Sequence, residues 1–225
     1  MKQRDAAADG FGGSRTTARA LKNNPAGLGT LRDVARREFV ERGYHAVSIR
    51  DIAREAALSF SVLYHYYASK QELLYGVLNE AIDSFHDILA RHSASDERAG
   101  DDPVDRFLIL IESLVEYRAN RRVDSLLFIR EIRNLEPEYA ERLSDRRAAV
   151  AGLLDEVIAQ GVKTGAFKTP YPDDARRTLI AALNAIAEWY RPAGNITVDM
   201  LVSRYLRIAL AIVEYDGDLD IKPSA

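Results

Sequence analysis

Between Ser48 and Leu74 the sequence SIRDIAREAALSFSVLYHYYASKQELL sets two short amphipathic segments and the start of a third around two tight breaks, which constrains the chain to a helix-turn-helix. Ile49, Ile52, Ala53 and Ala56 recur at i, i+3, i+4 and i+7, so the first segment carries one apolar stripe, with Arg50, Asp51 and Arg54 pointing away from it. Ser48, three residues ahead of Asp51, predicts reciprocal capping at its start, with a carboxylate in place of the usual Glu or Gln. A turn of about three residues after Ala56 leads to Ser59, a second N-cap. Val62, Leu63, Tyr66 and Tyr67 then form the inner side of a short helix and leave Ser61, Tyr64 and His65 outside. In a helix-turn-helix the second helix lies in a DNA groove, so nucleic-acid recognition is the first expectation, although any two packed helices joined by a tight turn mimic the bare pattern.

The run Leu63-Tyr64-His65-Tyr66-Tyr67-Ala68-Ser69-Lys70, followed by Gln71-Glu72-Leu73-Leu74, resembles the TetR (tetracycline repressor) family. The pattern there is close to L-Y-H-H-F-x-S-K-E-E-L-L, preceded by T-x-R-D-I-A-x-x-A-G-V-S, which Ser48 to Ser59 follows. The motif resemblance covers Leu31 to Leu78, and the rest agrees in length and helical plan. It implies an all-α fold of about nine helices, with an N-terminal three-helix helix-turn-helix domain and a C-terminal helical ligand-binding and dimerisation domain. It also implies a DNA-binding transcriptional regulator, a repressor that dimerises on a palindromic operator and is released by a small-molecule effector. Two positions depart from the pattern. Ala57 stands where the family usually has Gly, at a cost of about 1–2 kcal/mol if the turn is left-handed. Phe60-Ser61 replaces a polar residue followed by Gly at groove-facing positions, so a different base sequence is expected to be read.

On this reading Phe60 and Ser61 reach base edges, with Phe60 suited to a thymine methyl, and Tyr64 meets a phosphate or a base. Arg50, Tyr66 and Lys70 hold the phosphate backbone, His65 assists, and Ser48 and Ser59 combine capping with groove contact. Bland alternatives stand beside these: Tyr66 as partly core, and Arg50 as one member of a solvated ion pair with Asp51. The formal net charge of -3 conceals an asymmetry, +3 over residues 1–80 against -6 over residues 81–225. A dimer brings two basic surfaces together, so overall acidity does not argue against DNA.

Composition narrows the competing classes. Cysteine is absent, which removes disulfides and thiolate metal sites, and His45, His65, His86 and His92 lack the i, i+4 spacing of a helical zinc site. No glycine-rich phosphate loop, nucleophile motif or paired-carboxylate helix is evident, so no catalytic residue, metal or cofactor is assigned. An all-helical enzyme and a helical adaptor with a fortuitous helix-turn-helix remain as alternatives, the second leaving Tyr64, His65 and Lys70 unexplained. No run approaches the roughly 20 apolar residues of a membrane span, and residues 1–25 lack the apolar core of a secretion signal, so a cytoplasmic location without membrane contact is expected.

Composition and periodicity divide the chain into a flexible basic arm (1–26), a helix-turn-helix domain (27–75), a ligand-binding and dimerisation domain (76–216) and a tail (217–225). The arm holds Lys2, Arg4, Arg15, Arg19 and Lys22 without helical period, and either reaches phosphates or a minor groove or is a solvated leader. Leu31, Ala35 and Phe39 predict a first helix that stops near Gly43. A long helix runs from Lys70 to about Arg91, a polar loop spans Ser93 to Asp102, and helices follow over Pro103–Asn120, Val123–Leu135 and Pro137–Thr164. The last two, over 173–190 and 197–213, are apolar on more than one side. Leu201, Tyr205, Ile208 and Ile212 make one stripe of the final helix, and Val202, Leu206, Ala209 and Val213 make another. Ala181, Ala182, Ala185 and Ala187 permit close approach, so a homodimer through these two helices is expected. Burial of both helices in a monomer would need more covering helices than the chain provides. TetR-like proteins dimerise this way, as the resemblance implies.

A ligand site leaves a fainter trace. Arg130 and Arg133 emerge from an otherwise apolar helix face and need an anion, either the protein's own Glu131, Glu136 or Glu112, which is the commoner arrangement, or an effector. Phe107, Tyr117, Phe128 and Trp189 line a core or a cavity. The ending Glu188-Trp189-Tyr190-Arg191-Pro192 with Gly194 looks like a TetR subgroup that senses acyl-CoA thioesters of lipid or steroid breakdown, which implies an acyl-CoA effector.

Overall fold

Helix starts follow the capping residues. Ser48 accepts from the backbone of Asp51 while the Asp51 carboxylate accepts from Ser48 N–H, so the capping box closes in both directions. Ser59, Ser69, Asp102 and Thr197 each accept from a backbone N–H two or three residues on. The computed structural model describes residues 25–96 and 100–218; residues 1–24 of the expected basic arm (1–26) and the chain end from 219 lie outside them, and the arm's last two residues open the first helix. Among the described residues there are nine α-helices and no strand. They are α1 (Pro25–Arg42), α2 (Ile49–Glu55), α3 (Phe60–Tyr66), α4 (Lys70–Ser95), α5 (Pro103–Asn120), α6 (Arg122–Glu131), α7 (Pro137–Thr164), α8 (Pro172–Trp189) and α9 (Val198–Ile212). None of them is long and apolar enough to cross a membrane.

Two boundaries differ from the sequence expectation. The long helix α4 continues to Ser95 rather than ending near Arg91. In place of one helix to Leu135, α6 stops at Glu131 and tightens into a 3₁₀ turn over Ile132–Asn134. Glu131 draws the chain around itself there, accepting from Asn134 Nδ2 at 2.7 Å, and Pro137 keeps the residues before it extended.

The head, α1 to α3 with the first half of α4, closes over Leu31, Phe39, Ile52, Leu63, Leu73, Leu74 and Leu78, each fully buried. A buried leucine of this kind contributes about 1.5–3 kcal/mol relative to exposure. Leu127 of α6 and Leu143 of α7 belong to the same cluster. The apolar core therefore does not break at residues 75–76. The turn between α2 and α3 puts Ala57 at φ 54°, the left-handed region, which costs an L-residue about 1–2 kcal/mol.

In the body α5 is central, packing against α4, α7, α8 and α9. Phe107 is fully buried and meets Phe167 ring to ring at 5.0 Å. That ring lies over Gly161, where a Cβ would fall 2.0 Å from it, so the α7 backbone can pass only as glycine. Helix α7 ends at Gly165 with φ +79°, donating its N–H to the Val162 carbonyl. Helix α9 lays Leu201, Leu206, Ala209, Leu210 and Val213 inward and leaves Ile208 45% exposed. Tyr205 and Ile212 are half-buried beside it, and Leu201 is a core residue because α9 packs chiefly on α5.

Candidate nucleic-acid interface and ligand cavity

Helix α3 has one buried anchor, Leu63, and a solvent face of large side chains. Phe60 and Tyr64 are 49% and 50% exposed, at i and i+4 and hence side by side on the helix surface. Ser59, Ser61 and His65 are exposed around them, and the His65 and Tyr66 rings lie 5.5 Å apart. This leaves an aromatic ridge in water rather than in the core.

The surrounding residues are positioned unequally. Arg50 is exposed with its guanidinium 5.7 Å from the Phe60 ring, whereas the ion pair to Asp51 is made by Arg54, at 2.6 Å. Arg50 is thereby held against the α3 ridge rather than paired on the α2 face. Tyr66 is half-buried, and Ser48 is exposed with its hydroxyl engaged in the capping box. Lys70 sits half-buried with Nζ 3.9 Å from the Tyr44 ring centroid, and burial lowers its pKa against the pull of Glu131. The sites expected for backbone contact thus comprise one exposed cation held against the α3 ridge, Arg50, and one anchored to the head, Lys70.

The head is clasped to the body at two polar points, both through α6. Glu80 on α4 pairs with Arg32 and Arg36 of α1, and Asp124 on α6 pairs with Arg36 at 2.9 Å and Arg121 at 2.7 Å. Arg32 Nε also donates to the Tyr67 hydroxyl at 2.6 Å. At the second point the buried backbone N–H of Tyr44 donates to Glu131 at 3.1 Å. Gln71 donates to the Tyr44 hydroxyl and to the Asn134 carbonyl, both at 2.8 Å.

On its other side α6 borders a cavity of ≈ 380 Å³ that opens between α4, α5, α6, α7 and α8. Ile82, Phe85, Leu114, Phe128, Val150 and Ile180 give it apolar walls, and Tyr117, Arg118, Arg147 and Asn184 are its polar lining. Tyr117 is satisfied, donating to the Ala81 carbonyl at 2.9 Å, and burial pushes its phenol pKa well up. Arg118 Nε and Asn184 Oδ1 are shielded from water and have no hydrogen-bond partner. Burial lowers the Arg118 pKa, its guanidinium resting 5.3 Å from the Tyr117 ring. No Asp or Glu lines the cavity.

Of the six residues expected at a ligand site, Tyr117 and Phe128 line this cavity and four do not. Phe107 is consumed by the α5 core. Arg130 is exposed and bonded to Glu188 of α8, Nε to Oε1 at 3.2 Å, an acid other than the three considered from sequence. Arg133 is exposed on the 3₁₀ turn, and Trp189 is 45% exposed at the end of α8 against Tyr190. Ala187, expected to permit close approach of a second copy, is fully buried, while Ala181 and Ala185 are exposed. Sequence reasoning missed Arg118, Arg147 and Asn184. A signal for Arg118 was present: it follows Phe107, Ile111 and Leu114 at helical spacing, a cation on the inward stripe of α5.

Residues 31–76 match the family model for bacterial regulatory proteins of the tetR family, and residues 100–213 that for the tetracyclin repressor-like C-terminal domain. An HTH-type transcriptional repressor KstR2 of Rhodococcus jostii (strain RHA1) is 33% identical over 190 residues, spanning 80% of this chain and 87% of that one. Two solved structures superpose closely. The ketosteroid transcriptional regulator KstR2 of Mycobacterium tuberculosis gives a TM-score of 0.73 at 24% identity, covering 88% of this chain and 98% of its own. AibR in complex with isovaleryl coenzyme A and operator DNA gives 0.72 at 18% identity, covering 84% and 100%.

Proposed function

The chain belongs to the tetR family of bacterial regulatory proteins, and from that premise we propose that it is a repressor acting as a homodimer on a palindromic operator. Membership makes it a DNA-binding transcriptional regulator rather than an enzyme. The observation that carries the repressor's contact surface is the exposed Phe60–Tyr64 ridge on α3, flanked by Arg50. Phe60 and Ser61 read base edges, Tyr64 contacts a base or phosphate, and Arg50, Lys70 and the half-buried Tyr66 fix the duplex backbone, with Ser48, Ser59 and His65 at the margin.

A second copy covers the face formed by Ala181, Ala185 and Trp189 of α8 with Tyr205 and Ile208 of α9, whose apolar exposure a monomer leaves uncompensated. Two α3 helices then meet successive major grooves about 34–36 Å apart, or a multiple of that spacing. The effector enters the cavity between α4 and α8, and an acyl-CoA thioester with its acyl part inside suits the apolar walls. A protein of the same fold has been solved with isovaleryl coenzyme A, which supports this class. Effector binding favours a head spacing that no longer fits the operator, with α6 transmitting the change because it touches both cavity and head.

Operator selection followed by mobility-shift titration tests the reading. Tyr64→Ala is expected to weaken binding to a selected palindrome roughly 10-fold or more while leaving helicity and dimer mass unchanged. Affinity equal to the parent's overturns the α3 assignment, and a monomeric mass for the parent overturns the dimer.

A further inference from the structure

Among the described residues four arginines have a shielded, unbonded Nε; Arg36 has Glu80 and Asp124 beside it and Arg176 has Asp155, and of the other two, Arg118 and Arg122, only Arg118 faces the cavity. No carboxylate of the described residues pairs with Arg118, and the cavity it lines contains no acidic side chain. A cation withdrawn from water carries a penalty of several kcal/mol unless an anion with good geometry meets it. Asn184, on the facing helix α8, adds a second shielded and unbonded polar atom to the same wall. Both point to a polar group delivered into an otherwise apolar space.

We infer that the cavity takes a molecule with an apolar body whose buried end is a carboxylate, held by the Arg118 guanidinium with Asn184 beside it. This rests on the effector reading above and narrows it. The planar guanidinium fork matches a carboxylate through two parallel N–H···O bonds, and its stacking on Tyr117 fixes the direction it faces. Asn184, its amide turned either way, bonds a carboxylate oxygen as a donor or a neighbouring hydroxyl as an acceptor. A volume of ≈ 380 Å³ lies at the small end of ligand pockets, enough for a chain or small ring system but not for a nucleotide as well. Arg147, exposed on α7 at the same cavity, is placed to meet any anionic group that stays outside. A plain acyl-CoA would put a neutral chain against Arg118. The structure is matched instead by a free carboxylic acid, or by a thioester whose acyl group carries an acid at its far end.

Isothermal titration of the full chain with straight-chain carboxylates from hexanoate to dodecanoate and with indane- and decalin-carboxylates, each beside its methyl ester, separates these chemistries. The acid and ester differ in charge at nearly equal apolar area. The best acid is expected to bind about 30-fold or more tightly than its ester. Arg118→Met should abolish that preference and keep the parent's helicity and operator affinity, and Arg118→Lys should recover part of it. Absence of an acid-over-ester preference across the panel, or its survival in Arg118→Met, overturns the inference. The CoA thioesters of the same acids form a further arm. If they bind more tightly than the acids, release operator, and do so equally on Arg118→Met, the carboxylate pocket is overturned while the repressor reading stands. Failure of the parent to bind any selected operator marks failure of that earlier reading instead.

Discussion

Arg36 and Arg118 are both largely removed from solvent, yet the junction and the cavity treat them in opposite ways. At the junction the cation is surrounded by Glu80, Asp124 and Asp33, and Arg32 and Arg121 share the same acids. In the cavity the cation lies over an aromatic face, and the Asn184 amide lines the same space unbonded. The difference separates two uses of buried charge. A junction that must join the same two elements in every state carries its own counterions, whereas a cavity that must discriminate among visitors leaves the matching charge to the visitor.

The largest test is removal of the junction's acid. Arg36 Nε faces Asp124 Oδ1 at 2.9 Å as a close ion pair rather than an aligned hydrogen bond, with the two side chains 11% and 5% exposed. Asp124→Ala strips a shielded partner from both Arg36 and Arg121 and is expected to cost about 3 kcal/mol in denaturant unfolding. The double variant with Arg36→Met should recover part of this loss, because no uncompensated cation is then left behind. A cost below about 1 kcal/mol would show that Glu80 alone neutralises Arg36, and the contrast with Arg118 would weaken accordingly.

The same substitution logic reverses sign in the cavity. Arg118 has no partner to lose, so Arg118→Met replaces an unmatched cation by an apolar chain of similar reach. In the absence of ligand it is expected to stabilise the protein by about 1–2 kcal/mol, seen as a raised midpoint of thermal or chemical unfolding. Destabilisation of that size would mean that stacking on Tyr117 or an ordered water already satisfies the guanidinium, and the two regions would then follow one rule.

The two regions were also unequally legible. The head could be read from local rules because its determinants are local. Ser48 with Asp51, Ser59 with Val62 and the stripe Ile49, Ile52, Ala53, Ala56 act within a few residues, and the structure has each cap as expected. The left-handed Ala57 was visible as a departure from a motif. The cavity depends on which face of each long helix turns inward, and that is settled by packing among five helices distant in sequence. Arg130 and Arg133 looked buried from a short apolar window, yet α6 turns Arg130 to solvent because Asp124 and Leu127 take the inward side, and Arg133 faces solvent from the 3₁₀ turn that follows. Arg118 lay on a clear stripe, and its lack of a counterion became visible only once α8 and α7 closed around it. Leu127 and Leu143, far downstream of the expected domain limit at 75–76, join the head's apolar cluster in the same way.

Between the buried pair and the buried orphan stands a half-buried, fully partnered charge, Asp51, and it gives the smallest effect. Its carboxylate accepts from the Ser48 hydroxyl at 2.6 Å and from the Ser48 backbone N–H at 3.1 Å, with Arg54 beside it. The Ser48 hydroxyl bond contributes most, then its backbone N–H, and together with Arg54 they hold the Asp51 pKa below the ordinary carboxylate value. A depressed folded-state pKa fixes the sign of the linkage. The contribution to stability is complete above the unfolded value of about 3.9 and is lost as pH falls through the lower folded value, so nothing changes near neutrality. Because Arg50 is carried against Phe60 by the start of α2, acid should loosen this cap before it disturbs the shielded junction. Carbon-detected NMR titration of the Asp51 carboxyl is expected to give a midpoint below about 3.9, with the Ser48 amide shift moving in step. A midpoint at or above that value, or a Ser48 amide indifferent to it, would mean that water displaces the cap, and that exposure alone decides whether a partner matters in this protein.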